Sequence, residues 1–332
     1  MMYVGLDYHK RYSVATKMGE DGEVLEQVKL LNDAPCLLEF LSGLPPDTKI
    51  ALEATGSWYW FYELLEDRGT ELHLAHPLRT RAIAEARIKT DRVDSRILAH
   101  LLRTDLLPAA YIPPRAVRDV RETLRYRASL ISLRTQVKNK VHAILSKNGI
   151  RPRYKDLFGK GSLHQLRALE LRPAYAEELR GYLRLAEALQ RLIAEVDARV
   201  EEIAKDDPRA MLLTTIPGIG YYSALLITSE IGDIGRFPSA RKLCSYAGLV
   251  PRVRSSGGRT HYGPITKQGS KYLRWIMVEL SPHFVRGSSR MERLYRRVCL
   301  RHGKNTARVA VAREMLKVIY YMLRDERPFY ED

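Results

Sequence analysis

The chain has 332 residues, 45% of them hydrophobic, and carries 55 Lys and Arg against 39 Asp and Glu, a net charge of +16. That length fits roughly two or three domains with buried cores, and the charge favours a polyanionic partner, because contacts to phosphates release counterions. No apolar run is long enough to span a bilayer and the N-terminus enters a strand directly, without a signal peptide. Cys36, Cys244 and Cys299 make neither a zinc spacing nor a disulfide framework. The expectation is a cytosolic protein with no membrane partner.

Residues 2–7 and 12–17 alternate like strands, and Gly19, Asp21 and Gly22 turn the chain into a third strand near 23–30. A helix over 34–43, a short buried-type strand over 49–54, a helix over 58–69 and a strand from Leu72 to Ala75 follow. Helical patterns then run from 78 to 104, with Thr90 placed to cap a new helix at Asp91. Three hairpin-like strands followed by alternating helix and strand predict an α/β domain with a mixed sheet over residues 1–107.

Pro108, Pro113 and Pro114 mark a boundary, and residues 108–209 read as a helical, coiled-coil region. A long helix is expected over 115–148. Between 115 and 160 there are thirteen Lys or Arg and only three acids. Arg118, Arg121 and Arg125 share one helical face, and Arg134 and Lys138 lie further along; these five are expected to contact nucleic acid backbone. A second long helix, from Pro173 to Asp206, carries Tyr182, Leu185, Leu189, Leu192, Val196, Val200 and Ile203 at three-four spacing. That seam would pair with the first helix or with a second copy of the chain.

The remaining residues, 210–332, read as a mainly helical C-terminal domain. Ile216-Pro217-Gly218-Ile219-Gly220 resembles the turn of a helix-hairpin-helix, in which backbone N–H groups approach a phosphate, though a plain helix-breaking loop fits it equally. From Pro251 to Trp275 there are six Lys or Arg (Arg252, Arg254, Arg259, Lys267, Lys271 and Arg274) and no acid. They are expected to grip nucleic acid.

Two constellations carry chemistry. Asp7 and Glu53 each end an apolar strand, and Asp91 and Asp94 sit three apart at a helix start. Two strand-end carboxylates and a helical pair can converge, and carboxylates are the hard oxygen ligands that Mg²⁺ takes beside phosphates. Each acid alone would suit a strand end or a helix cap; the set in this order is far more specific. The second constellation is Ser255-Ser256-Gly257-Gly258 among the basic residues. On composition alone it is a flexible Ser/Gly loop whose hydroxyls bind phosphate. His9 and His261 are read as hydrogen-bonding partners with no assigned role.

Taken in chain order, several motifs resemble one family across nearly the whole chain. They are Gly5-Leu6-Asp7, Glu53-Ala54-Thr55-Gly56, Lys89-Thr90-Asp91-Arg92-Val93-Asp94, Ile216 to Gly220, Ser245 to Pro251, Ser256-Gly257, Ile265 to Gly269 and Leu273-Arg274. The chain resembles the DEDD transposases of the one-hundred-and-ten family of insertion sequences, relatives of the Piv-type DNA invertases. The resemblance implies a RuvC-like, ribonuclease-H-like N-terminal domain, a coiled-coil middle and a C-terminal transposase domain. It implies Mg²⁺, with Mn²⁺ as substitute, on Asp7, Glu53, Asp91 and Asp94. It also implies a serine that becomes covalently joined to DNA, mapping to Ser256 with Ser255 adjacent. Donor and target double-stranded DNA, a structured guide RNA and a homo-oligomer, dimer or tetramer, are the partners implied. The long middle, with an insertion-like segment at 151–172, departs from the compact members.

The reading is therefore a metal-dependent DNA recombinase that stores bond energy in a phosphoserine ester. The alternatives are a metal-and-water junction-resolving nuclease, a protein-read DNA invertase, and a basic RNA-binding scaffold without activity.

Overall fold

The structure, a computed structural model, describes all residues except 55–57, 67–69, 85–89, 152–156 and 331–332, together with the side chain of Lys160. Thr55, Gly56 and Lys89 of the sequence motifs lie outside the described residues, as do Pro152 and Arg153. The chain divides into two compact units, Met1–Ile112 and Pro113–Asp332.

The first unit is built on a five-stranded mixed sheet of order β3-β2-β1-β4-β5. Its strands are β1 (Tyr3–Tyr8), β2 (Tyr12–Met18), β3 (Val24–Leu31), β4 (Lys49–Glu53) and β5 (Glu71–Ala75). β1, β2 and β3 form an antiparallel meander, and β4 and β5 add in parallel on the other side of β1. The side-chain period of two sorts the faces. Val4, Leu6, Ile50 and Leu52 pack on one face with α1 (Ala34–Ser42) and α2 (Trp58–Glu66) through Leu37, Phe40 and Phe61. Gly5, Ala51 and Ala75 lie on the opposite face, under α4 (Asp91–Arg103). The short α3 (Pro77–Ile83) precedes it.

α4 begins where the sequence indicates, because Thr90 accepts a hydrogen bond from the Val93 N–H at 3.3 Å. A polar relay, buried at the Ser95–Thr16 contact, fixes the helix to the sheet. Ser95 Oγ meets Thr16 Oγ1 at 2.8 Å, and Gln27 Nε2 donates to Thr16 Oγ1 at 2.8 Å and to the Arg92 carbonyl at 3.0 Å.

In the second unit α5 (Arg115–Lys147) and α7 (Pro173–Asp206) pack along one another, burying Leu130, Val137, Ala186, Leu189 and Ile193. Short α6 (Lys160–Arg167) covers one end, where Leu166 joins Val141, Ile144, Leu179 and Leu183. The expected seam is partly out of phase. Leu185 and Leu192 stay exposed, and the buried line passes through Leu183, Ala186, Leu189 and Ile193. A mixed-sign helix offers two overlapping apolar stripes, and the match to α5 selects one of them.

The other end of this helix pair runs into the C-terminal core. Leu124, Val200 and Ala204 share that core with α8 (Pro208–Leu213), α9 (Tyr221–Ile231), α10 (Ala240–Tyr246), α11 (Lys271–Arg286) and α12 (Ser289–Asp325), which breaks at Gly303. The segment Ile216–Gly220 packs inward: Ile216 and Ile219 are buried, and Gly218 lies against the His283 side chain.

One element is absent from the sequence expectation. Residues expected as a basic Ser/Gly loop form a two-stranded ribbon, β6 (Pro251–Ser256) and β7 (Arg259–Ile265), almost wholly exposed. The loop reading gives way to strand because Gly257 and Gly258 both take positive φ, 56° and 76°. Two consecutive left-handed residues make the tight turn whose twist matches a hairpin.

Candidate functional site

In the first unit the sheet pleat does most of the positioning. Leu6 pairs with Leu52 across parallel β1 and β4, so Asp7 and Glu53 sit one step beyond, side by side at the strands' C-terminal ends. Both follow the parity of Gly5 and Ala51 and so face α4. The first turn of α4 supplies Asp91 and Asp94. Asp7, Glu53 and Asp94 line one open cavity of about 550 Å³. Asp91 lies on the neighbouring side, with ligand atoms of Asp7, His9 and Asp91 all within 4.8 Å of one another.

His9 and Tyr12 complete this cluster. The His9 ring Nε2 lies 3.1 Å from Asp7 Oδ2 and 3.4 Å from Asp91 Oδ1, and the Tyr12 hydroxyl donates to Asp91 Oδ2 at 2.9 Å. A signal for His9 existed: it follows Asp7 by two residues at a strand end, and so returns to the same side. Tyr12 opens β2, which leaves the β1–β2 turn at the same edge.

The electrostatics are those of crowded carboxylates. Burial holds the Asp7 carboxyl above its ordinary pKa, and the charges of Asp91 and Asp94 add to this, with His9 acting in the opposite direction. The Tyr12 hydrogen bond draws Asp91 downward. Like charges gathered around a carboxylate only 14% exposed are a set that a hard divalent cation would neutralise. The donors fit Mg²⁺: they are all carboxylate oxygens, with one imidazole beside them.

In the second unit the ribbon decides which groups flank each serine. Ser256 pairs with Arg259 and Arg254 with His261, while Ser255 pairs with Thr260 and Val253 with Tyr262. By alternation Ser256 shares its face with Arg254, Arg259 and His261, and Ser255 shares the opposite face with Val253, Thr260 and Tyr262. Ser255 Oγ is 3.4 Å from Thr260 Oγ1. The ribbon's base is closed by Thr266 N–H to the Val250 carbonyl at 2.9 Å, Lys267 N–H to the Gly248 carbonyl at 3.2 Å and Ser270 N–H to the Tyr246 carbonyl at 3.2 Å.

The basic residues expected at a nucleic acid surface separate into two groups. Arg252, Arg254, Arg259, Lys267 and Lys271 are exposed. Arg118 and Arg121, only 3% and 6% exposed, are inside the fold. Arg121 donates to the Ser229 carbonyl at 2.8 Å and to the Glu230 carbonyl at 3.0 Å, and Arg118 donates to the Pro113 carbonyl at 3.3 Å. These two are not surface contacts, which corrects the face assigned from helical spacing: that face meets α9. Arg125 pairs with the buried Glu230 at 3.4 Å. Arg274 donates to the Ala247 carbonyl at 3.0 Å. Arg134 donates to Gln190 at 2.7 Å, and Lys138 stands over the Phe158 ring.

Acids converging beside a helix N-terminus and an exposed basic ribbon are the features by which a protein acting on nucleic acid would be sought. Comparison with known proteins narrows the class to DNA transposases. Residues 4–149 match the transposase family of IS110 DEDD type, and residues 210–296 match the family described as "Transposase IS116/IS110/IS902 family". The chain belongs to the IS110/IS116/IS902 family of transposases. It is similar to a Pseudomonas aeruginosa protein named "Probable family 20 transposase", 28% identical over 87% of each chain. It is also similar to the "Transposase for insertion sequence element IS1328" of Yersinia enterocolitica, 26% identical over 86% of each chain. A shorter match, 34% identical over 41% of this chain and 45% of the relative, is to the "Pilin gene-inverting protein" of Moraxella bovis. Among the described residues no helix is long and apolar enough to cross a membrane.

Proposed function

We propose that this transposase mobilises its own insertion element by Mg²⁺-dependent cleavage and exchange of DNA strands through a covalent serine–DNA intermediate. The observation that carries the reading is the convergence of Asp7, Glu53 and Asp94 on one cavity, with Asp91 beside Asp7. The strand order of the sheet and the strand-end positions of Asp7 and Glu53 support a RuvC-like, ribonuclease-H-like domain. Asp7, Glu53, Asp91 and Asp94 would hold Mg²⁺ or Mn²⁺, and the bound ion would supply charge neutralisation at a scissile phosphate.

Ser256 is the nucleophile in this reading. Its Oγ attacks phosphorus, the bond from phosphorus to the departing sugar oxygen breaks, and the phosphoserine ester retains the bond energy. Attack by a sugar hydroxyl of the exchanged strand releases Ser256 and rejoins the DNA. Arg259, opposite Ser256, and Arg254 on the same face support it by offering positive charge to the phosphate. A guide RNA encoded beside the gene would pair with donor and target, and protomers of a dimer or tetramer would share the DNA. The reaction would take place in the cytoplasm.

The test is a denaturing gel on DNA carrying the element's ends. Ser256→Ala should bind nucleic acid and form no protein–DNA adduct, and Asp7→Asn should cleave nothing. Full recombination by Ser256→Ala would remove the serine, and cutting without exchange would favour the junction nuclease. Metal-independent cleavage by Asp7→Asn would remove the metal role. Sequencing the RNA that copurifies when the gene is expressed with its flanks tests guidance; only heterogeneous RNA would favour direct protein reading of DNA.

A further inference from the structure

α11 places its residues on two sides. Leu273, Ile276, Met277 and Leu280 are buried in the C-terminal core. Trp275, on the other side, is 44% exposed. It stands with Lys271 and Tyr272 across a cleft from Arg127, Ala128 and Ile131 of α5. The cleft holds about 440 Å³. Within it an indole, a phenol ring and an isoleucine supply an apolar slot, and among the described residues no carboxylate lines it.

Lys271 is a cation at the slot, and Arg125 and Arg127 beside it are ion-paired, Arg125 with Glu122 and Glu230 and Arg127 with Asp197. The Lys271 ammonium is 5.1 Å from the centre of the Tyr272 ring and the Arg125 guanidinium 5.2 Å from it. Arg127 is engaged: it pairs with Asp197 and lies 4.1 Å from the Tyr222 ring centre. Lys271, one turn before Trp275 on the same helix, is the cation at the mouth. An apolar side chain from a protein would suit the slot alone, but a slot with the Lys271 ammonium at its mouth, at the end of a stretch with six basic residues and no acid, is complementary to an anion with a flat apolar body. A nucleotide has both parts. Aromatic platforms of this kind hold unpaired bases with little regard to sequence, because every base has a π face.

We propose that the α5–α11 cleft seats one unpaired nucleotide, its base stacked on Trp275 and its phosphate facing Lys271. Duplex DNA cannot use the seat, since its bases are already stacked. The occupant is therefore a single-stranded segment of RNA or of opened DNA. The proposal rests on the reading of this chain as a nucleic-acid enzyme, but not on Ser256 or on metal.

The test is fluorescence anisotropy with the full chain. The probes are a short labelled oligoadenylate in ribo and deoxy forms, an abasic oligomer of equal length, and a duplex. Trp275→Ala should weaken binding of base-bearing single strands about 5- to 100-fold and leave the abasic oligomer and duplex unchanged, and Trp275→Phe should recover most of the loss. Lys271→Ala should weaken the base-bearing and abasic strands alike. A larger Trp275→Ala effect on the ribo form would assign the seat to RNA, and on the deoxy form to opened DNA. Equal loss on every probe, or no loss, would overturn the proposal. So would a fall in oligomer mass on sedimentation of Trp275→Ala with oligonucleotide binding intact, since the cleft would then be an interface between copies. The readout is oligonucleotide binding and not strand exchange, so a failure of the recombination reading is scored in a different assay.

Discussion

Gly5 lies directly against Ser95: a Cβ at Gly5 would overlap the Ser95 carbonyl oxygen and the Ala99 nitrogen, and would stand 3.1 Å from the Ala99 Cα. The backbone of α4 therefore rests on β1 at a point where only glycine fits. Two residues further along β1, on the same face, comes Asp7; one turn earlier in α4 come Asp91 and Asp94. The close approach brings strand-end and helix-start carboxylates together, so the Gly-Leu-Asp motif is both a packing device and the carrier of one carboxylate of the cluster.

Gly5→Ala should consequently be among the most damaging substitutions in the first unit. The obstacle is backbone, which cannot rotate away as a side chain can. We expect a loss of at least about 3 kcal/mol, read by urea unfolding. If enough folded protein survives, calorimetry should show Mg²⁺ or Mn²⁺ affinity lost although all four acids remain. An unchanged unfolding midpoint would mean that α4 does not rest on β1 in this way.

Asp7 offers a trade between stability and function. Its carboxyl is held above the ordinary value, chiefly by burial and further by Asp91 and Asp94. A carboxyl that keeps its proton more readily folded than unfolded contributes stability that is full below the ordinary carboxylate pKa and is lost as pH rises through the raised one. At neutral pH without divalent ions, the ionised group is a net cost. Asp7→Asn should then raise the melting temperature in chelator by a few degrees, about 1 kcal/mol. Added Mg²⁺ should raise the parent's melting temperature and leave the variant's unchanged. Equal gains by both with Mg²⁺ would show that Asp7 is no ligand.

Much of this was legible in the sequence. The sheet meander, the Thr90 cap and the two long helices follow from period and punctuation, and so does the order of the four acids. What escaped was information carried by tertiary contact. Arg118 and Arg121 look like surface charge by spacing alone, because nothing local reveals that both are buried or that α9 presents two carbonyls to Arg121. The seam phase in α7 depended on which stripe α5 would cover. The β6–β7 ribbon escaped because its residues are polar and its faces unburied, which removes the apolar alternation that marks a strand. His9 and Tyr12 lacked a motif of their own, and they gain meaning once Asp7 and Asp91 are seen to meet.

The separation of the basic residues gives a paired prediction. Arg121→Ala removes the guanidinium donor from the buried Ser229 carbonyl and one of two donors from the Glu230 carbonyl, the other being the Tyr246 hydroxyl at 3.3 Å, which should cost about 1–3 kcal/mol and lower the melting temperature in any salt. Arg252→Ala removes an exposed charge, should leave the melting temperature unchanged, and should reduce the salt dependence of nucleic acid binding by about one unit of slope. Comparing both variants by thermal unfolding and by binding across a salt series checks this. An Arg121→Ala chain as stable as the parent would return that residue to the surface group.

The ribbon's turn supplies the last prediction. Gly257 and Gly258 have open space around their Cα atoms, so a side chain there meets no neighbour; the constraint is positive φ alone. Replacing both with Ala should cost about 1–2 kcal/mol each within the turn. A two-stranded ribbon has little else to hold it, so the hairpin should open locally while the helical core keeps its melting temperature. Ser256 would then lose its registration against Arg259, and adduct formation should fall at least about tenfold, an amount that about 1.4 kcal/mol of misalignment would produce. Gly257→Asn with Gly258 retained suits the same turn and should keep most activity. Full activity in the double-alanine chain would show that the serine works without the paired ribbon, and loss of activity in the Gly257→Asn chain would point to a requirement for bare backbone at the turn.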